Sequence, residues 1–589
     1  MKKIASIIIA MLLCCSAAFA VPAYRGFVKY TQPDGSVVFI QKHGDEFFHW
    51  ATNVSGQAVE QDKDGFWRPV SADRLNARRN AAMARRNARR PMYKSGEHIA
   101  IGPKHFLVIL VEFSDVHFKS ATANADFHNQ LNQNGYSVNG GTGSAKDYYF
   151  DNSHGVFEPI FDVYGPIRLD GAMADYGAND SDGNDMAPHL AVAEGCEALD
   201  DQIDFSQYDL DGDGAVDLVF MYYAGYGEAD GGSEDTIWPH QWDLSDAEVS
   251  LTLDGKKVSK YACSNELDGY GANSGKMTGI GTVCHEFGHA MGLPDFYDTD
   301  YDYYNGEAGG TYDYDVMCGG PYNNNGCTPP YVNMIERIML GWLDYDAIAE
   351  FPKSGTYTLT GINNDVAYMT PTDKDGEFFL YECRSKEGWD AYIPEAGLIV
   401  YHVDQSDRQV KIFNAMTGSN ISVTAKSLWD QWEMFNCINE NGSHPCFYIV
   451  PAGAQTNLYY TGSQFAFPGK ANKTSYVAKS WNGVNSAITF SGISYAGNQV
   501  SCYVTVPSEE LDYSVIANPG NGVYAAGSSF ELSLVESESR PVASVEWYFD
   551  DEPVAATSVV LRAGAHTVEA VLTLTSGETE TLTLELTAE

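Results

Sequence analysis

The sequence predicts an α+β domain, entered through a basic N-terminal segment and followed by two all-β sandwich domains, the last immunoglobulin-like. Three observations predict this. A run with helical spacing of charged and imidazole side chains lies near the middle, at His285, Glu286 and His289. From about Gly355 onward the chain turns to short alternating strands broken by turn residues. Charge divides sharply: residues 21–90 hold 12 Lys/Arg against 7 Asp/Glu, and residues 91–589 hold 22 against 72, within a chain of net charge −43.

The central run is Thr282 to Asp298, TVCHEFGHAMGLPDFYD. His285 and His289 are four residues apart, so on a helix they project from one face. Two imidazoles so placed suit one zinc ion, with Glu286 beside them as general base. Gly292 is placed to end the helix in a left-handed conformation, and Pro294 prevents its resumption. That turn returns Asp295 as third ligand and leaves a fourth position open, as catalytic zinc requires. About twenty residues on, Met317 sits before Cys318-Gly319-Gly320. This predicts a Met-turn flooring the metal, and so a metzincin-type domain. Cys284, on another face of the helix, is expected in the core.

Taken in order, residues 1–20 (MKKIASIIIAMLLCCSAAFA) have two lysines, an apolar run and an Ala18-Phe19-Ala20 cleavage signal. They predict export, to the periplasm or outside the cell, including its surface. The segment 21–92 carries the arginine-rich stretch Arg74–Arg90 and is expected to be a removable pro-segment, drawn electrostatically to an acidic partner. It has no cysteine, which excludes latency through a thiol on the metal. The catalytic domain is placed at 93–350, opening with the strand HFLVILVEF after Lys104 and closing with a helix over Pro329–Leu343.

Within it, Asp209, Asp211, Asp213, the carbonyl of Ala215, and Asp217 follow calcium-loop spacing, although position twelve is Phe220 and the flanking LVFMYYAG reads as a strand. Asp180, Asp182 and Asp185 are further acidic candidates, and Trp238-Pro239-His240 is a second aromatic region. Residues 351–507 and 508–589 are the two β domains, with Trp547 in the core of the last. Nine cysteines follow residue 20, an odd number, and loop closeness favours the pairs Cys318–Cys327 and Cys437–Cys446.

The runs GIGTVCHEFGHAMGLPDFYD, DLDGDGAVDLVF, IWPH and GLIVYHVD together resemble the immune inhibitor A family of secreted bacterial metalloproteases. The resemblance covers roughly residues 25–505. It implies a zincin-like fold, one catalytic zinc on His285, His289 and Asp295, Glu286 as catalytic residue, structural calcium and proteolytic maturation. Some metzincins carry an oxyanion-holding tyrosine just after the Met-turn; here Tyr322 stands later and is the weaker candidate for that role.

The expected function is zinc-dependent hydrolysis of peptide bonds in proteins or peptides by a monomer made as a precursor. The alternative is an inactive or narrowly specific protease-fold protein that acts as an extracellular binding protein through its β domains. Retention of every residue that the chemistry needs argues for the enzyme. Neither nucleic acid nor an integral membrane segment is expected, the arginines of 74–90 being the one basic feature on a very acidic chain.

Overall fold

The computed structural model describes residues 21–589 apart from 46–47, 88–98, 181–182, 272–273, 301–307, 415–418, 433–435, 454–463, 508–513, 519–522, 536–540, 556–557 and 576. The proposed leader 1–20, the end of the arginine-rich stretch and Asp182 lie outside the described residues. The chain forms two compact units, one running to Val506 and the other Pro507–Glu589. The mixed α/β character with many sheets matches the expectation. Among the described residues, no helix is long and apolar enough to cross a membrane.

The first unit is centred on a five-stranded sheet in the order Phe157–Arg168, Gly102–Glu112, Val219–Tyr226, Lys260–Leu267, Gln241–Asp243. Its first four strands are parallel and the short edge strand is antiparallel. Because side chains alternate along a strand, Val108, Leu110, Phe220 and Tyr222 face one layer while Leu107, Ile109, Val219 and Met221 face the other. The second face is covered by the helix Pro188–Leu199, through Ala191, Val192, Cys196 and Leu199. The first face receives the helix Gly281–Ala290, which carries the H-E-x-x-H run. Phe287 anchors it, its ring 4.6 Å from that of Phe106 and 5.2 Å from that of Tyr149. Cys284 is fully buried in the same core, as expected.

From Ala349 the first unit adds two larger sheets beside a two-stranded one, Gln409–Asn414 with Ser419–Thr424. One runs Ala349–Glu350, Ala367–Pro371, Glu377–Arg384, Gly397–Asp404, Phe447–Ile449; the other runs Gly355–Thr360, Gln499–Thr505, Asn485–Ala496, Tyr476–Lys479. Both central strands of the first, Glu377–Arg384 and Gly397–Asp404, are buried along their whole length. Phe378, Leu380, Ile399, Tyr401 and Val403 join the core that holds the H-E-x-x-H helix. Phe379, Tyr381, Cys383, Leu398 and Val400 join the core shared with the second sheet. One sheet therefore serves two cores, which explains why its strands are apolar at successive positions rather than alternating.

The N-terminal segment is an antiparallel meander of five strands, Phe27–Thr31, Val37–Gly44, His49–Asn53, Ala58–Gln61 and Trp67–Pro69, followed by the helix Ala72–Asn87. Its His43 bonds Thr52 Oγ1 at 2.8 Å and stacks on Trp50, and burial lowers its pKa to about 4. A histidine below its unfolded value of about 6.5 favours the fold while neutral. Stability is then complete above that value and is lost as pH falls from 6.5 towards 4. Protection of the amides in Val37–Gly44 and His49–Asn53, measured by mass spectrometry against the intrinsic exchange rate at each pH, is expected to fall over that window.

The second unit comprises a three-stranded sheet, Ser514–Asn518, Ser529–Val535, Ser558–Val560, and a five-stranded sheet that includes Val542–Phe549, Gly564–Leu574 and Thr579–Ala588. Trp547 packs, half-buried, against its core of Val568, Ala570 and Leu572.

Two expectations are corrected. The helix expected over Pro329–Leu343 is confined to Met334–Met339. Adjacent Pro329 and Pro330 lack the N–H that a helix interior needs and lie outside it, and Asn333 caps the helix by accepting from Glu336 N while Glu336 accepts from Asn333 N. Neither favoured disulfide is present. Cys318 and Cys446 are buried thiols, their Sγ atoms turned to the carbonyls of Gly309 and His444. Closeness along a loop does not align two Cβ vectors.

Candidate metal centre

The helix Gly281–Ala290 is buried along nearly its whole length, and that burial takes in the polar side chains of His285, Glu286 and His289 as well as the apolar ones. It ends where Gly292 takes φ +105°, and Leu293 N then donates to Gly288 O at 3.0 Å. This reversal brings Asp295 against the two histidines. His285 Nε2 and His289 Nε2 are 3.1 Å apart, and Asp295 Oδ1 is 3.3 Å from each.

The outer nitrogens decide what that cluster can hold. His285 Nδ1 lies 2.8 Å from the Val316 carbonyl, and His289 Nδ1 lies 2.8 Å from the Leu293 carbonyl. A carbonyl only accepts, so each Nδ1 carries the proton and each Nε2 presents a lone pair. Two nitrogen lone pairs and the Asp295 Oδ1 then converge on one point, and that oxygen accepts no hydrogen bond among the described residues. The set is two nitrogens and one oxygen with both outer nitrogens bonded to carbonyls, which suits a catalytic zinc. Burial works to raise the Asp295 carboxyl, but the two imidazoles outweigh it and hold it below the ordinary carboxylate range.

Met317 is fully buried beneath this helix. A Cβ added to Gly288 would lie 2.7 Å from its Sδ, so the glycine between the two histidines is what admits the methionine. The Val316 carbonyl that orients His285 belongs to the same turn.

One residue was missed from sequence. Asn436 donates to Asp295 Oδ2 at 2.6 Å through Nδ2 and accepts from Asp295 N at 3.0 Å through Oδ1. Its own carbonyl accepts from Thr299 Oγ1 at 2.6 Å. A side chain 141 positions along the chain thus fixes the carboxylate of the triad. No local pattern around Asn436 marks it; only the packing of the later sheet on the first core places it there.

Glu286 faces the N-terminal segment. Its Oε1 accepts from Val21 N at 2.7 Å, and its Oε2 is buried without a hydrogen-bond partner among the described residues. Burial raises its pKa to about 8, against the pull of His285 and the Val21 N–H. The chain from Val21 to Tyr24 is held throughout: Trp238 Nε1 donates to Val21 O at 3.3 Å, Tyr322 OH donates to Pro22 O at 2.5 Å, and Tyr24 N donates to Ala229 O at 3.0 Å. Tyr322, the weaker oxyanion candidate, is therefore within reach of a carbonyl next to the residue that touches Glu286. His240 is remote from this role, its ring nitrogens taken by Trp238 O and Tyr261 OH.

The second acidic group is brought together only in part. Asp209, Asp211 and Asp217 each place an oxygen within 4.8 Å of the others. Asp213 stands outside the trio, its Oδ1 accepting from Ala215 N at 2.8 Å. Ala215 pairs instead with Lys257 in a bridge between loop and hairpin. Lys256 Nζ lies 2.6 Å from Asp209 Oδ2, while Asp209 Oδ1 is buried without a hydrogen-bond partner among the described residues. Burial, with Asp211 and Asp213 adding to it, raises Asp217 to about 6. Asp180 and Asp185 do not join: one accepts from Asn184, the other from Trp238 N.

Residues 101–331 match the family described as immune inhibitor A peptidase M6, catalytic domain. The sequence is 30% identical over 207 residues to Immune inhibitor A of Bacillus thuringiensis subsp. alesti, covering 31% of this chain and 30% of that one. It is 29% identical over 179 residues to the Pre-pro-metalloprotease PrtV of Vibrio cholerae serotype O1, covering 27% of this chain and 19% of that one. The aligned stretches thus span less than a third of those relatives' length. Among solved structures, catalytically inactive OgpA from Akkermansia muciniphila with an O-glycopeptide (glycodrosocin) substrate aligns over 83% of this chain and 95% of its own. That alignment has 10% identity and a TM-score of 0.21, a likeness too slight to bear on fold or function. The resemblance to the immune inhibitor A family holds over 101–331.

Proposed function

We propose that this chain, which carries an immune inhibitor A-type catalytic segment, is an exported zinc-dependent endopeptidase made as a precursor. The observation that carries the reading is the convergence of His285 Nε2, His289 Nε2 and Asp295 Oδ1 beside a buried carboxylate, Glu286, with one oxygen unused. Zinc held by those three residues would supply Lewis acidity, polarising a scissile carbonyl and bringing the pKa of water towards neutrality.

The chain's own groups do the rest. Glu286 takes the proton from the attacking water and returns it to the departing amine, so the protein ends each turnover unchanged. The Tyr322 hydroxyl, which holds the Pro22 carbonyl, is the donor for the oxygen that gains charge. The carbonyls of Val316 and Leu293 fix the tautomer of both histidines, and Asn436 fixes the aspartate. Asn436→Ala is expected to lower zinc affinity by roughly 10–100-fold, measured by competition with a chromophoric chelator.

The precursor reading rests on Val21. Cleavage after Ala20 makes Val21 the N-terminus, and its α-amino group is then the group 2.7 Å from Glu286 Oε1. An ammonium there occupies the base, and Val21–Tyr24 fill the cleft alongside. Removal of the segment by cutting within Arg74–Arg90 frees both.

Calcium completes the proposal as a structural ion in the Asp209–Asp211–Asp217 loop, with Lys256 displaced from Asp209. Calcium at 100 times its Kd is expected to stabilise the folded protein by about 2.7 kcal/mol. Thermal denaturation with and without the ion checks this, and Asp211→Ala should abolish the shift.

The decisive test is cleavage of gelatin by the matured chain with and without a zinc chelator. Chelator-sensitive cleavage is expected; a metal-free protein that still cleaves, or a zinc-loaded one that cleaves no protein or peptide, overturns the reading.

A further inference from the structure

The N-terminal meander sets one ammonium against the carboxylates that follow Tyr226. Lys42 Nζ donates to Glu228 Oε1 at 3.0 Å and to the Gly232 carbonyl at 3.3 Å, with both side chains almost wholly buried. His49 Nε2 lies 3.3 Å from the same carboxylate oxygen, and Asn179 Nδ2 donates to Glu228 Oε2 at 3.1 Å. Asp185, Asp230 and Glu234 lie around this point, burial raising the carboxyl of each, and Tyr30 of the meander flanks it. The Asp185 Oδ1 and Asn179 Oδ1 atoms are buried there and accept no hydrogen bond among the described residues.

The two basic side chains that contact Glu228, Lys42 and His49, both belong to the N-terminal segment. When that segment leaves, the Glu228 carboxylate loses the ammonium it is paired with, and breaking such a pair is costly unless another cation takes its place. The cluster also adjoins the cleft. Glu228 precedes Ala229, whose carbonyl holds Tyr24 N, and Ala229 packs with Val21, Ala23 and Trp238 in one group. His49 stacks on the Trp238 ring at 4.5 Å, and Trp238 holds the Val21 carbonyl.

We infer that Glu228 and Asp185 form a specificity subsite for a basic side chain of the substrate, and that Lys42 fills it in the precursor. The inference rests on the protease reading and names its substrate class: polypeptides with lysine or arginine a few residues from the bond cut. Glu228 supplies the charge, the Gly232 carbonyl a second acceptor, and Trp238 the apolar wall for the stem of the side chain.

The test uses the full chain, matured by limited proteolysis within Arg74–Arg90, and peptides carrying lysine, norleucine or glutamate at one position at a time on either side of the scissile bond. At one position the kcat/KM ratio of lysine over norleucine should exceed tenfold, and Glu228→Gln should bring that ratio near one. On the wild-type enzyme, a synthetic Val21–Asp45 peptide should inhibit at least tenfold better than its Lys42→Met counterpart, which decides the matter even if Glu228→Gln does not fold. Gelatin cleaved with no basic preference at any position, or equal inhibition by the two peptides, overturns the subsite while leaving the protease reading intact. Gelatin uncleaved by the zinc-loaded enzyme overturns both.

Discussion

Glu286→Gln is expected to lower kcat for peptide hydrolysis by roughly 10²–10⁴-fold while the protein still binds one zinc. The substitution keeps the shape of the side chain and removes the basic oxygen. Glu286 is fully buried on the helix that presents both histidines, whose outer nitrogens are held by Val316 and Leu293 and whose inner ones face Asp295. The ligand set therefore survives a change that the chemistry does not. Single-turnover cleavage of a fluorogenic peptide, beside zinc content by mass spectrometry, separates the two. A variant that keeps zinc and retains more than a tenth of its activity would mean that another group takes the proton. Exhaustive chelation of the wild type should produce a loss of the same size, reversed by adding zinc back.

The second large effect concerns latency. A chain beginning at Val21 and keeping its N-terminal segment is expected to be inert, and one cut within Arg74–Arg90 to be active. The contact between an α-ammonium and the buried Glu286 is a hydrogen bond to a charged group, worth about 1.5–3 kcal/mol, or roughly ten- to a hundredfold in activity. Steric filling of the cleft by Val21–Tyr24 comes on top. Adding one alanine before Val21 replaces the ammonium by an amide and should raise residual activity of the uncut chain without releasing the meander. The assay is gelatin hydrolysis before and after limited proteolysis, with the N-terminus read by sequencing. Equal activity before and after cutting would sink the idea of a masking segment.

What could be read from the sequence was local. His285 and His289 on one helix face, the left-handed Gly292 and the return of Asp295 all follow from backbone geometry within eleven residues, and the structure brings these groups together. The strand after Lys104 and the strand at Val219–Tyr226 were equally plain, as apolar runs bounded by turns. The rest depends on contacts between residues far apart in the chain. Asn436 reaches Asp295 across 141 positions, and Val21 reaches Glu286 across 265. Propensity carries no information about such pairs. The helix expected over Pro329–Leu343 failed for a different reason: the amphipathic pattern was read through Pro329 and Pro330, and the Asn333 cap was overlooked. The acidic loop was read by its spacing alone, which is blind to a lysine arriving from the neighbouring hairpin at Asp209.

The sheet that serves two cores has a consequence for how this gene can be cut. Stopping a recombinant chain near residue 350 would strip away Leu380, Ile399, Tyr401 and Val403, which complete the core around the H-E-x-x-H helix, together with the asparagine that holds the third ligand. Such a fragment matches the family boundary at residue 331 well, yet it would present a broad sticky face to its neighbours and collect in inclusion bodies. The natural place to shorten the chain is after Val506, where one compact unit ends. Sequence-defined domain limits and self-sufficient folding units are different objects here, and expression trials should follow the second.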